Sequence, residues 1–309
     1  MDQDTFLTTV YVTADDYCKA HAIDWPVAPG PTPSLSVSEV LTVSLLSRWA
    51  RFGSDREFYR YANRHWRAAF PNLPERSHFN RLLRAVVPWL IGFSHFLASQ
   101  LRAHPCVYEV LDTMGCATRN VHRRGRGWLA GEANRGFCNR IGWYDGLNVM
   151  TSVTSAGVIT GFGCAPASTK EQPYAETFLA ARAMQPVGLA EVGAPALGGY
   201  ITDNGFCGHE RHQFWAHAYG AQVISPPQKT RTTRPWPKAW RRWLASIRQI
   251  VETVHAKLLI TFRLERERPH HLQGFRARLA ASVALHNFCI WLNAQLGRPL
   301  LAFADLIDW

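Results

Sequence analysis

Apolar positions recur at helical spacing through the first hundred residues and at strand spacing after Cys106, so the chain changes texture once, about a third of the way along. Beyond the Pro/Gly/Ser-rich turn region from Pro26 to Leu35, Ser36 or Ser38 can cap a helix carrying Val40, Leu41, Val43, Leu45 and Leu46. A second helix follows Ser54, with Phe58, Tyr59 and Tyr61 set among Arg56, Arg60 and Arg64. Pro71, Leu73 and Pro74 interrupt the chain, and Ser77 is placed to cap a third helix. That helix has an apolar face of Phe79, Leu82, Leu83 and Val86 and polar residues His78, Asn80, Arg81 and Arg84.

From Val107 to Asp112 the pattern predicts a short apolar strand. Two further apolar runs, 147–153 and 158–164, are joined by Thr-Ser-Ala-Gly and read as a hairpin. The spacing then predicts a helix over 173–184, a strand over 200–203, a helix over 208–218, a strand over 222–225, a long helix from 237 to about 264, and a final amphipathic helix from about 272 to 296. Three strands, helix, strand, helix, strand, helix is the order of an α/β, RNase H-like core: a mixed five-stranded sheet with flanking helices. The expected division is a mostly helical, helix-turn-helix-like region at 1–104 and a catalytic domain at 105–309 that includes the C-terminal helix.

Composition narrows the partners. The 309 residues carry a formal net charge of +11 and a pI near 9.6, which suits a polyanion, because neutralising phosphates releases counterions. A basic membrane-surface protein is the competing class. No apolar stretch approaches the roughly 20 residues of a span, and the start, Met-Asp-Gln-Asp, has no basic region of a secretion signal, so a cytoplasmic, nucleoid-associated protein is expected. The seven cysteines contain no Cys-x-x-Cys pair, which argues against a zinc module and a disulfide framework and casts most of them as small buried apolar residues. There is no Gly-x-x-x-x-Gly-Lys-Ser/Thr loop for a nucleotide.

Three acids carry the candidate chemistry. Asp112 ends the first predicted strand, Asp203 the fourth, and Glu252 lies inside the helix after the fifth. Carboxylates gathered from distant elements hold two divalent ions about 3.5–4 Å apart in phosphodiester chemistry. Hard oxygen donors without His or Cys at ligand spacing favour Mg²⁺, with Mn²⁺ as the alternative. Each acid alone could equally cap a turn or pair with an arginine. Glu109 shares the first strand with Asp112, but its odd offset sends it to the other face. Glu171 falls in a predicted loop and reads as structural.

Between Glu210 and Glu252 the chain has no acid, while Arg211, Lys229, Arg231, Arg234, Lys238, Arg241, Arg242 and Arg248 are all basic; this run leads into the Glu252 helix. Arg248, one turn before Glu252, is read as a phosphate contact, the alternative being a salt bridge to Glu252. A second basic stretch contains Arg119, Arg123, Arg124 and Arg126, among glycines. With Lys257 and the polar residues His78, Asn80, Arg81 and Arg84, these form the expected DNA-binding set. Trp236, Trp240 and Trp243 lie near one helical face. Packing onto the sheet is the favoured role, over stacking on a displaced base.

The quoted residues resemble the DDE transposases of bacterial insertion sequences, and insertion-sequence family nine-eighty-two in particular. The resemblance is carried by Val110-Leu111-Asp112-Thr113, the run from Gly131 to Cys138, the hairpin from Gly157 to Gly163, Thr202-Asp203-Asn204-Gly205-Phe206, Arg248-x-x-x-Glu252-Thr253-Val254, and His286-Asn287-Phe288-Cys289-Ile290. It spans roughly residues 30–295. It implies that Asp112, Asp203 and Glu252 are the catalytic metal ligands. It further implies binding of double-stranded DNA, both the element's terminal inverted repeats and the target, with a dimer on DNA. A nuclease without strand transfer and a retired transposase kept for DNA binding remain open alternatives.

Overall fold

The computed structural model describes the chain except residues 28, 102–105, 120–128, 130, 185–197, 228–233 and 267. It divides into two compact units, one built from Met1–Leu97 and Leu258–Trp309, the other from Ala98–Lys257.

The first unit is helical. Its elements are α1 (Gln3–Ala20), α2 (Val37–Leu46), α3 (Asp55–His65), α4 (Arg76–Ala85), α5 (Val87–Gln100) and a long C-terminal helix, α9 (Leu272–Gln295). Ser36 caps α2 in a full capping box with Glu39, and Ser54 caps α3 through the Glu57 amide, as the local sequence dictates. The cap expected at Ser77 falls elsewhere. Glu75 is the N-cap of α4, without a side-chain bond, and Ser77 sits inside the first turn.

Almost the whole of α9 is buried, because its apolar residues face α2 and α4 together. Phe288 packs edge-on to Phe6, which packs edge-on to Trp49. Asn287 is fully buried and donates to the Ser94 carbonyl (3.2 Å) and hydroxyl (3.1 Å), satisfying an amide that would otherwise be costly to bury. The run His286 to Ile290 is therefore core. The expected boundary after residue 104 kept this helix with the sheet; by packing, residues 258–309 join the N-terminal helices, because α9 supplies the apolar face that α2 and α4 need.

The second unit carries β1 (Tyr108–Arg119), β2 (Asn134–Cys138), β3 (Gly142–Thr154), β4 (Ile159–Pro166), α6 (Glu171–Ala183), β5 (Gly199–Ile201), α7 (His209–Tyr219), β6 (Gln222–Ile224) and α8 (Lys238–Ala256). The strands form one six-stranded sheet. β4, β3, β1, β5 and β6 lie side by side, the first three antiparallel and β1, β5 and β6 parallel. This is the mixed sheet of an RNase H-like core.

The sixth strand, β2, pairs with the first half of β3 from Gly142 to Gly146 and continues the edge that β4 occupies farther along. Its alternation is too short and too polar to stand out in the sequence. β1 also runs seven residues past Asp112, through Gly115 and Cys116, because β3 is long enough to pair with it from Thr154 back to Asp145.

Each face of the sheet has its own cover. Leu111, Met150 and Tyr200 pack against Tyr174, Phe178 and Leu179 of α6 and Trp215 of α7. The opposite face meets α8 through Leu244, Val251 and Val254, which recur at helical spacing and are buried. Glu109 is fully buried on the α6 face, paired with Arg182 at 3.0 Å and accepting from Thr160 at 2.6 Å. Its odd offset from Asp112 does send the two acids to opposite faces.

Candidate active site

Two aspartates meet through strand register. Val110 on β1 is the partner of Ile201 on β5 in a parallel pair, so Asp112 and Asp203, two residues farther along each chain, reach the same end and face of the sheet. Asp112 lies within β1, since that strand continues beyond it. Asp203 caps the 3-10 turn Asn204–Phe206, with Oδ1 accepting from the Gly205 amide at 2.8 Å. Oδ1 of Asp112 accepts from the Thr113 amide at 2.8 Å. Each outer oxygen is thereby left facing α8.

Arg248 fills that place. Its Nη2 donates to Asp112 Oδ2 at 3.0 Å and lies 3.9 Å from Asp203 Oδ2. Nε of Arg248 is buried without a hydrogen-bond partner. One cation thus bridges two carboxylates, and Arg248 makes no salt bridge to Glu252.

Two turns beyond Arg248, the buried ring of His255 meets Thr151 Oγ1 at 2.9 Å. Thr151 is the residue directly opposite Asp112 on β3. Burial, and then the nearby charges of Arg248 and Arg140, push the His255 pKa down to about 3, so the ring is neutral.

Glu171 joins the two aspartates from the other cover. It is the first residue of α6, and its Oε1 accepts from Thr113 Oγ1 at 2.9 Å. A Cβ added to Gly205 would lie 1.6 Å from Glu171 Oε2 and 3.1 Å from Asp203 Oδ1, so the absent side chain at Gly205 is what lets the two acids approach.

All three carboxyls are shifted upward. Burial raises Asp112 against the pull of Arg248. Burial and the Asp112 charge raise Asp203; burial, Asp203 and Asp112 raise Glu171. Crowded carboxylates that share one arginine favour a further cation, and hard oxygens favour a hard one. The Arg248 guanidinium, set between Asp112 and Asp203, marks where positive charge is stabilised.

Glu252 is not gathered with them. It lies on the edge of the buried stripe of α8, is exposed, and makes no hydrogen bond or ion pair among the described residues. No group of three His, Cys, Asp or Glu side chains is placed to hold a metal ion among the described residues.

A family model described as a transposase DDE domain matches residues 119–288, more than half of the 309-residue chain. The chain belongs to the DDE transposase family. No curated protein and no solved structure matches it. The matched span of this transposase contains Asp203 and Glu252 but begins after Asp112, so Asp112 is placed by its register with β5. DDE transposases use divalent metal ions, and the carboxylate oxygens of Asp112 and Asp203 are of the donor type such ions take, with Arg248 set between them here.

The basic residues of the transposase distribute unevenly. Arg234, Lys238, Arg241 and Arg242 are exposed at and before the start of α8, and Lys257 is half-buried after its end. Arg119 is turned inward, 3.9 Å from Asp145 and bonded to the Ala133 carbonyl. On α4, Arg81 and Arg84 are exposed and His78 and Asn80 half-buried. Arg123, Arg124, Arg126, Lys229 and Arg231 lie outside the described residues.

Trp240 and Trp243 are 58% and 44% exposed, so they do not pin α8 to the sheet; that role belongs to Leu244, Val251 and Val254. The three indoles contact one another in sequence instead, with centroids 5.8 Å and 6.5 Å apart. All seven cysteines are free thiols, but only Cys18, Cys116 and Cys289 are buried, fewer than expected. Glu171 is the member of the site that sequence reading set aside. Its signal is its position, at the start of the helix that follows the third strand of the core.

Proposed function

We propose that the protein is an insertion-sequence transposase, of the group resembling family nine-eighty-two, that cleaves its element's terminal inverted repeats and joins them to target DNA. The observation that carries this reading is the register-matched pair Asp112 and Asp203, bridged by Arg248, on an RNase H-like sheet. Asp112 and Asp203, with Glu252 from α8, are the proposed ligands of Mg²⁺, for which Mn²⁺ would substitute. When bound, divalent ions activate the attacking oxygen and stabilise the leaving oxygen of the phosphodiester.

The chain's own residues supply the rest. Arg248, whose charge lies between the acids, contacts a phosphate oxygen once the carboxylates have another cation. Neutral His255 and Thr151 hold α8 against β3 opposite Asp112, fixing the face on which the strand lies. Water attacks phosphorus in line and frees a 3′-OH at the element end. That hydroxyl attacks a target phosphodiester, and the target's own 3′ oxygen leaves. Arg234, Lys238, Arg241 and Arg242 hold DNA beside α8. Pairing two ends calls for at least a dimer on DNA, acting at the nucleoid.

The test is to incubate the protein with labelled duplex carrying its element's ends, supercoiled plasmid and Mg²⁺, beside Asp203→Asn. End cleavage with joined plasmid, lost in the variant, supports the reading. Cutting without joining makes the protein a nuclease, and binding without either makes it a retired transposase.

A further inference from the structure

The helical unit holds a cavity of about 560 Å³ that the chemistry of the acid site does not use. Small-molecule pockets run from about 300 to about 1,000 Å³, so this one has the size of a ligand site. α4 contributes Arg76, Leu83 and Arg84 to its lining, and α9 contributes Ala277, Arg278 and Ala281. Ser44, Ser47 and Arg48 form its floor, each at most 2% exposed.

The charge of the lining is not internally balanced. Asp55 is its only acid among the described residues, and that carboxylate is taken by Arg48, by Arg263 at 2.7 Å and by Arg278 at 2.8 Å. Arg56, Arg76, Arg84 and Arg266 border the same space with no ion pair among the described residues. α4 opens on Arg76 with no acid in its first turn, so the cation and the helix dipole add where they would ordinarily cancel.

From this cavity we propose an effector site for a free nucleoside polyphosphate. Three linked phosphates carry about four negative charges at pH 7, and guanidiniums receive phosphate oxygens in a planar fork of donors. The ring has its own place. Leu83 of α4 and the alanines 277 and 281, one turn apart on α9, make an apolar strip in the same lining, and the short alanine side chains leave room for a flat group. An inorganic polyphosphate would leave that strip bare. A duplex, with its phosphates on a convex surface, would meet the rims and leave the floor at Ser44, Ser47 and Arg48 unfilled. The ligand is held and not hydrolysed: Asp55 is engaged by three arginines, so no lining carboxylate among the described residues is free to carry Mg²⁺ or polarise water. The proposal does not rest on the transposase reading and uses no residue of the acid site.

The test is fluorescence anisotropy of a ribose-labelled ATP with the full chain, in EDTA and near-physiological salt, with unlabelled ATP, tripolyphosphate and a short DNA duplex as competitors. Saturable binding is expected, with ATP at least about tenfold stronger than tripolyphosphate. Arg76→Gln with Arg84→Gln, and Arg266→Gln separately, should each weaken it about tenfold or more, the scale of one lost charged contact. Arg60→Gln, an exposed arginine outside the lining, should not change it. No saturable binding, or equal affinity in the lining variants, would overturn the site. Tripolyphosphate competing as well as ATP would show an adventitious ion only, and displacement by the duplex at matched phosphate concentration would return the cavity to the DNA surface. EDTA silences the metal chemistry, and Asp203→Asn must bind the nucleotide as the wild type does, so failure here and failure of the transposase reading are separate results.

Discussion

Arg248 donates to Asp112 at 3.0 Å and stands 3.9 Å from Asp203, so the helix that carries Glu252 is tied to the sheet by the charge of its neighbour one turn earlier. A guanidinium in that position neutralises the pair only while no metal does. Arg248→Gln is expected to cost about 1–3 kcal/mol, because a buried carboxylate loses a charged donor. Mg²⁺ should recover more stability in the variant than it adds to the wild type. Thermal melts with and without Mg²⁺ check this; a variant as stable as wild type in EDTA would show that the bridge carries no weight.

Glu171 lies in the field of both aspartates, and Gly205 is the gap through which it reaches them. Glu171→Gln keeps the acceptor for Thr113 and removes one charge. The Mg²⁺ concentration for half-maximal cleavage should rise by up to roughly tenfold, about 1.4 kcal/mol, with the rate at saturating Mg²⁺ largely kept. Gly205→Ala, which must displace the Glu171 carboxylate, should move the same parameter the same way. A Mg²⁺ titration of the cleavage rate decides it, and unchanged half-saturation in both variants would remove Glu171 from the site.

Sequence reading singled out Asp112 and Asp203 because strand alternation and element order are local signals; the parallel register of Val110 with Ile201 brings them level although β1 runs on past Asp112 and β5 ends at Ile201. It could not reach the partner of Arg248. Helical spacing made Glu252 the nearest acid, whereas Asp112 lies 136 residues away along the chain and becomes the partner only through tertiary packing. The tryptophans misled for a related reason: three indoles on one face look like a core stripe, but the shorter residues Leu244, Val251 and Val254 already fill the contact. In the helical unit the helix starts at Ser36 and Ser54 were legible, and the apolar run of α9 favoured a core helix over an interface one; local pattern could not tell that this core belongs with the N-terminal helices.

His255 predicts an acid-sensitive limb for the sheet unit. Its folded pKa, about 3, lies below the ordinary value of 6.5, so the unfolded chain binds a proton across that interval that the folded one refuses. The contribution is fully present above pH 6.5 and is lost progressively as pH falls toward 3. Apparent Tm should therefore drop between pH 6.5 and 4 in EDTA, and His255→Gln, which cannot titrate, should flatten that part of the curve. An equally steep limb in the variant would assign the sensitivity to other groups.

Asp55 is the corresponding test of the helical unit. Burial alone would raise its carboxyl, but Arg48, Arg278 and Arg263 together hold it well below the usual range. A carboxyl depressed on folding stabilises fully above its unfolded value of about 3.8 and is lost only as pH falls through the folded one, so this cluster should survive acid that has already strained the His255 contact. Asp55→Asn leaves Arg48 and Arg263 buried without their counter-charge, a change that costs about 3–5 kcal/mol. Hydrogen exchange of peptides from α9 measures it in the full chain. Amides of 272–295 should exchange on the order of a hundred-fold faster or more, and protection equal to wild type would mean that α9 does not depend on the cluster.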